Sequence, residues 1–321
     1  MERLIDSEFM MIQVNEFFFP SSGGQNRIYC REYVPEGEPR GIVQLSHGIA
    51  EHILRYDGFA RYLAEHGYIV AANDHLGHGH SIEDREELGW LGDGQGWEHV
   101  LADMHTFHRT IRSRHPGLPY FLLGHSMGSF LVRCYVIRFR EPLDGIILTG
   151  TGHQGRALTE GAALLSREEC RRKGSRYRSR LLLKQFSGRN NAGIDAVRTV
   201  VDWISRDPET VDLYLSDPLC GYVPTAGLFR DMLGGIAYMT KQKNIEHMNR
   251  DLPVYFLSGD RDPVGEMGKG VMRAYKAFLS AGMRDVTMKL YSGARHEILF
   301  ETNRDEVYGD ILAWLDVKCG R

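Results

Sequence analysis

The sequence is short of the features that mark a disulfide scaffold, a zinc module or a membrane span. Its five cysteines (Cys30, Cys134, Cys170, Cys220, Cys319) are odd in number, widely spaced and form no C-x-x-C pair. That pattern fits reduced thiols in a cytoplasm better than a disulfide framework or a zinc site. No stretch approaches the ~20 apolar residues of a spanning helix. The opening residues, MERLIDSEFMMIQVNEFFFP, carry Glu2, Asp6 and Glu8 where a secretory signal would have a basic start and an unbroken apolar run. A cytoplasmic location is expected. Positive charge is not in excess either: 39 Lys and Arg against 42 Asp and Glu leave a formal net charge of −3. Nothing there favours a nucleic-acid partner. Internal repeats and low-complexity tracts are absent. What remains is an ordinary globular composition over 321 residues, enough for one large domain or for one domain carrying an inserted lid.

The chain begins as an antiparallel pair: an extended NEFFFP, a turn at Ser21-Ser22-Gly23-Gly24, then alternating RIYCREYVP. After Pro39 short apolar runs alternate with helix-length segments. GIVQLSH, YIVAAND, YFLLGHS and GIILTG read as strands, with helices near Arg55 to His66, Trp97 to His115 and Met127 to Arg140 between them. This alternation predicts an α/β fold with a mostly parallel, doubly wound sheet. The rhythm fails between about residues 151 and 225, where charges and glycine turns replace strands. It resumes with PVYFLSGD, a helix near Met267 to Ala281, VTMKLYSG and a closing helix ending near Trp314. The expected organisation is an α/β core over 1–150 and 226–321, interrupted by a helical cap at 151–225.

GHSMG, residues 124–128, fits G-x-S-x-G. The glycines permit a sharp strand-to-helix turn that holds the serine in a strained conformation with Oγ projecting above the sheet. Alone the motif is weak. The apolar strand before it and the apolar helix MGSFLVRCYVIRF after it make Ser126 a candidate nucleophile. A serine hydroxyl needs a histidine to take its proton and a carboxylate to hold that histidine, in chain order Ser, Asp, His for this type of sheet. His296 is the only histidine after Gly259 and lies just beyond a strand. Asp260 and Asp262 both follow the preceding strand. Asp262 is preferred, because it sits on the loop beyond the strand end with Pro263 placed to start a helix; Asp260 is the fallback. The oxyanion of acyl transfer needs preorganised amides, and Met127, after the nucleophile, and Ile49, in the early loop SHGIAEH, are the candidates.

These motifs together resemble the monoacylglycerol lipase and lysophospholipase family of α/β-hydrolases, also called serine aminopeptidase-like. HGIAEHILRY (47–56), NDHLGHGHS (73–81), GHSMG, SGDRDPV and ARHEI carry the likeness. The resemblance implies a triad of Ser126, Asp262 and His296, oxyanion amides at Ile49 and Met127, a mobile cap over an acyl pocket, and no cofactor or metal. It implies a small-molecule or lipid-like ester as substrate, with amide, peptide or thioester hydrolysis, acyl transfer, or ligand binding alone as rival readings on the same scaffold.

Other residues have plainer expected roles. His75, His78 and His80 lack metal-site spacing and are expected to make structural hydrogen bonds. His99, His105 and His108 are expected at the helix surface or just behind the site. Glu51, His52, Arg55 and Tyr56 are expected as a buried polar network bracing the oxyanion loop. From Arg167 to Arg189, Lys and Arg outnumber acidic residues nine to two. This is either a solvated helix face or a basic surface at the pocket mouth that meets anionic substrates or membrane lipid. Leu181, Leu182, Leu183, Phe186, Leu228, Phe229, Met232 and Met239 are core residues by default, with an acyl channel as the alternative.

Overall fold

The computed structural model describes residues 11–24 and 26–320. The acidic start on which the signal-peptide argument rests, residues 1–10, lies outside them. Strands β1 (Gln13–Pro20) and β2 (Arg27–Val34) form the expected antiparallel hairpin. There follow β3 (Gly41–Ser46), α1 (Asp57–Glu65), β4 (Tyr68–Asn73), α2 (Gly96–Arg114), β5 (Tyr120–His125), α3 (Met127–Arg138) and β6 (Gly145–Thr149). Helices α4 (Arg156–Lys173), α5 (Arg180–Ser187), α6 (Pro208–Ser216), α7 (Ala226–Met239) and α8 (Gln242–Ile245) come next. The chain closes with β7 (Val254–Gly259), α9 (Lys269–Ser280), β8 (Val286–Tyr291) and α10 (Arg304–Lys318).

All eight strands form one sheet in the order β1-β2-β4-β3-β5-β6-β7-β8. The hairpin joins it antiparallel through β2 and β4, and every pair from β4 to β8 is parallel. Each residue of β3, β4 and β5 is buried, as expected of central strands covered on both faces, and this is why they read as unbroken apolar runs. One face packs against α1 and α10 through Phe59, Leu63, Ile311 and Leu315. The other packs against α2, α3 and α9 through Met104, Phe130 and Phe278, with Phe229 of α7 joining the same core from behind α2 and α3.

Strands β6 and β7 are paired, Ile146 opposite Val254, although residues 150–253 run between them. Among the described residues that stretch holds helices and a single isolated bridge, Arg178 to Thr225. Helix α6 starts where Asp207 accepts the Glu209 amide and Pro208 occupies the first turn. Thr225 caps α7, its hydroxyl accepting the Leu228 amide at 3.2 Å. Helix α7 is buried along most of its length and packs on α3, α2 and α4. It therefore bridges the helices that cover the sheet, α2 and α3, and helix α4, while α4, α5 and α6 lie within 151–225. The closing helix runs four residues past the expected Trp314.

Candidate active site

Strand β5 ends at His125 and α3 begins at Met127, so Ser126 occupies the turn between them with φ 51° and ψ −118°. An L-residue at positive φ is strained and must be held there by its surroundings. The flanking glycines explain how. A Cβ on Gly128 would collide with the carbonyls of Ser46 and His47, and one on Gly124 with the Gly128 carbonyl. The backbone is pinned by the Ser126 amide donating to Thr149 O at 2.9 Å and the Ser129 hydroxyl donating to Ser126 O at 2.6 Å.

His296 lies in the loop after β8, and its Nδ1 is 2.9 Å from Oδ1 of Asp262 in the loop after β7. Asp262 is fully buried. Its Oδ1 also accepts the Val264 amide at 2.9 Å, and its Oδ2 accepts the Ser258 hydroxyl at 3.3 Å. Asp260 does something else: its Oδ1 accepts the Gly293 amide at 2.8 Å, tying the two loops together. Ser126 and His296 line one cavity of about 550 Å³ together with Ile49, Trp203, Tyr214 and Phe186. The Ser126 hydroxyl makes no hydrogen bond within the described residues. The amide of Ile49, which lines the cavity, and that of Met127, first in its helix, likewise donate none, so both are without a backbone partner.

Residues 37–303 match the family described as serine aminopeptidase, S33 (Hydrolase_4). The chain belongs to this family. A monoacylglycerol lipase of Mycolicibacterium smegmatis is 29% identical over 306 residues, covering 94% of this chain and 96% of that protein. A monoglyceride lipase of Mus musculus is 31% identical over 278 residues, covering 84% of this chain and 79% of the relative. Among solved structures, a thermostable carboxyl esterase from Bacillus coagulans superposes with a TM-score of 0.89 at 31% identity, over 96% of this chain and all of that one. The chain has the α/β-hydrolase fold, and it is a serine ester hydrolase of the lipase type.

Electrostatics in this S33-family site follow from burial and pairing. Burial pulls the His296 imidazole down, but the Asp262 charge and hydrogen bond outweigh it and leave His296 above the ordinary histidine range. The neighbouring ring of His125, centroid 4.8 Å away, has no such partner, and burial pushes it down to about 3. Gly150, at φ 57°, leaves room for both rings; a Cβ there would lie 2.9 Å from each. Trp203 also packs against His296, ring centroids 5.0 Å apart.

The loop carrying Ile49 is braced from beneath. Glu51 Oε1 accepts the Gly48 amide at 2.5 Å and the Tyr56 hydroxyl at 2.7 Å. Arg55 donates to Glu51 Oε2 at 2.5 Å and to both oxygens of Glu297 at 2.9 and 2.7 Å. Of the four residues expected in one network, His52 stands apart, its Nε2 2.8 Å from Asp217. Glu297, adjacent to His296, had no spacing signal of its own, and Trp203 and Tyr214 come from the aperiodic stretch.

Two expectations about histidine need correction or detail. His108 is not at the surface but fully buried, because it shares the inner face of α2 with Met104 and Ile111 and packs on Tyr120 with ring centroids 4.3 Å apart. His75 and His78 are buried structural groups, depressed by burial to about 3 and about 4. His75 Nε2 is 3.1 Å from the Ser46 hydroxyl, and its amide donates to His47 Nε2 at 2.9 Å. The basic stretch divides as well. Arg171 and Arg172 pair with Glu168 on an exposed face, and Arg178 donates to the backbone carbonyls of Leu88 and Val223. Only Arg180 and Lys184 line the Ser126 cavity.

Proposed function

We propose that this chain cleaves single-chain carboxylic esters, monoacylglycerols above all, through an acyl-enzyme on Ser126. The observation that carries the reading is a serine held at positive φ in one cavity with a histidine whose Nδ1 is bonded to a buried carboxylate. Asp262 fixes the imidazole with its proton on Nδ1, leaving Nε2 to take the Ser126 proton as Oγ attacks the ester carbonyl. The Ile49 and Met127 amides stabilise the oxyanion, a contribution of about 3–4 kcal/mol per donor in comparable sites. His296 then protonates the departing alcohol and activates the water that releases the fatty acid. No cofactor takes part in this scheme.

Substrate class is supported by the lining and by the relatives named monoacylglycerol and monoglyceride lipase. A second cavity of about 460 Å³ shares Phe186 and Phe229 with the first and is lined by Phe130, Leu182, Leu233 and Ile236. Together they offer apolar space for an acyl chain beside the serine. The only carboxylates lining the Ser126 cavity, among the described residues, are Glu51 and Glu297. Both are committed to Arg55, which leaves none free to hold the ammonium of an aminopeptidase substrate. Arg180 and Lys184 on the same lining favour, as a second head group, the phosphate of a lysophospholipid.

The segment 151–225 acts as a cap. It exposes Leu158, Leu164, Leu181, Val200 and Leu213, apolar surface suited to peripheral contact with a lipid interface. No described helix is long and apolar enough to cross a membrane. The five free cysteines fit a reducing cytoplasm.

Matched monoacylglycerol, lysophospholipid, thioester and aminoacyl-amide substrates test the reading through kcat/KM. A monoacylglycerol preference over the amide of at least ~100-fold, growing with chain length, is the expected result. An amide preferred over every ester would overturn it.

A further inference from the structure

Away from the Ser126–His296 pair, one group of side chains among the described residues has the composition of a metal centre. The ligand atoms of His52, Asp217 and Cys220 lie within 4.8 Å of one another. His52 and Cys220 are buried and Asp217 half-buried. Asp217 ends α6, and the turn after it fixes aspartate and cysteine together: Asp217 Oδ1 accepts the Leu219 amide at 2.8 Å, and the Cys220 amide donates to Asp217 O at 3.0 Å. His52 comes from the other side, three residues after Ile49, with Nε2 2.8 Å from Asp217 Oδ2.

A purely structural cluster would use up its polar atoms. This one does not. Among the described residues Cys220 Sγ makes no hydrogen bond and is open to a ligand, while the buried His52 Nδ1 is left to carry the ring proton when Nε2 binds a cation. Imidazole, carboxylate and thiolate are the donors of a borderline-soft cation, and one carboxylate plus one thiolate balance a charge of 2+.

We propose that His52, Asp217 and Cys220 form a site for a thiophilic divalent cation, Zn²⁺ in kind, with water as the fourth ligand. On binding, the Cys220 thiol loses its proton to solvent as the Sγ–metal bond forms. His52 moves its single ring proton to Nδ1 and gives the Nε2 lone pair to the metal, so one proton is released and no electron is transferred. Tetrahedral bonds of ~2.0 Å set the nitrogen and oxygen about 3.3 Å apart, a modest opening of the present hydrogen bond.

The site bridges the loop carrying Ile49 and the chain after α6. Tyr214 and Gly221 already reach across, their hydroxyl and amide donating to Ala50 O at 3.2 and 3.0 Å, and both line the Ser126 cavity. Occupancy clasps this wall of the cavity to the loop. The inference departs from the expectation that the cysteines are reduced thiols and hold no metal, and it stands whether or not Ser126 is the nucleophile.

The test is titration of the metal-stripped full-length protein with Co²⁺, then competition with Zn²⁺. One equivalent of Co²⁺ is expected to bind with a thiolate-to-cobalt charge-transfer band that Zn²⁺ abolishes. The band disappears in Cys220→Ser, and affinity falls at least ~10-fold in His52→Gln and Asp217→Asn, with thermal melts recording that each variant is folded. Should Cys220→Ser not fold, Asp217→Asn and the single variants Cys170→Ser and Cys319→Ser locate the thiolate. Absence of stoichiometric binding, or a band that survives Cys220→Ser or vanishes with another cysteine, overturns the proposal.

Discussion

Ser126 holds φ 51° only because the residues around it leave no alternative. The same crowding forbids a side chain at Gly124 and Gly128. At this scale the roles of single groups separate. Replacing Asp262 by Asn leaves a neutral partner that no longer imposes the right imidazole tautomer. Turnover should fall by ~10³–10⁴, whereas Asp260→Asn, which disturbs the Gly293 amide and an exposed Arg261 ion pair away from His296, should stay within ~3-fold; kcat/KM for one ester measures both. The pH dependence follows in sign. The base works when neutral, so kcat/KM rises with pH through a His296 value that Asp262 holds above the ordinary range. Removing the Asp262 charge leaves burial opposed only by the smaller effects of Glu297 and Glu51, and the limb in Asp262→Asn should move to lower pH. A limb that stays put or moves upward would contradict the assignment of Asp262.

Between elements, the connection that matters is Arg55, which ties the loop after β3 to the loop after β8 through Glu51 and Glu297. Truncating one partner of a buried ion network leaves uncompensated charge. Arg55→Ala should lower unfolding free energy by ~3–5 kcal/mol, read by urea denaturation, and Arg55→Lys should not restore it fully because lysine lacks the planar fork. A change under ~1 kcal/mol would show that the network is dispensable. Legibility also divides by element. Strands β3 to β7 are covered on both faces, so their sequences are apolar runs that announce themselves, and Ser126, Asp262 and His296 follow strand ends where their chemistry makes them conspicuous. Helix α4, RALTEGAALLSREECRRK, offers no such contrast, since its last turns are charged on every side. Trp203 sits in a 3-10 turn and Tyr214 on a helix of nine residues, so periodicity could not place either one beside the serine. His108 was hidden differently: polarity suggested surface, while its spacing from Met104 and Ile111 put it inside.

Taken whole, the molecule carries uncharged histidine through its interior. His47, His75, His78, His108 and His125 are all buried and all depressed by that burial, four of them to about 3 or about 4. In the unfolded chain each takes a proton near the usual ~6.5. Stability is therefore full above that value and is lost as pH falls toward the folded values, by up to ~1.4 kcal/mol per pH unit for each group. His80 and His296, raised by their carboxylate partners, act in the opposite sense and above ~6.5. Calorimetry from pH 7.5 to 4.5 should show the melting temperature falling continuously below ~6.5; a flat profile would mean that these rings do not remain neutral in the folded protein.

The central claim is that the fold makes Ser126 reactive, and covalent labelling tests it most directly. A fluorophosphonate reacts with serine only where a base and an oxyanion site activate it. Peptide mass spectrometry of the labelled protein should find one adduct, on Ser126, lost in His296→Ala and retained in Ser129→Ala. A folded protein that stays unlabelled, or an adduct on another residue, would contradict the account.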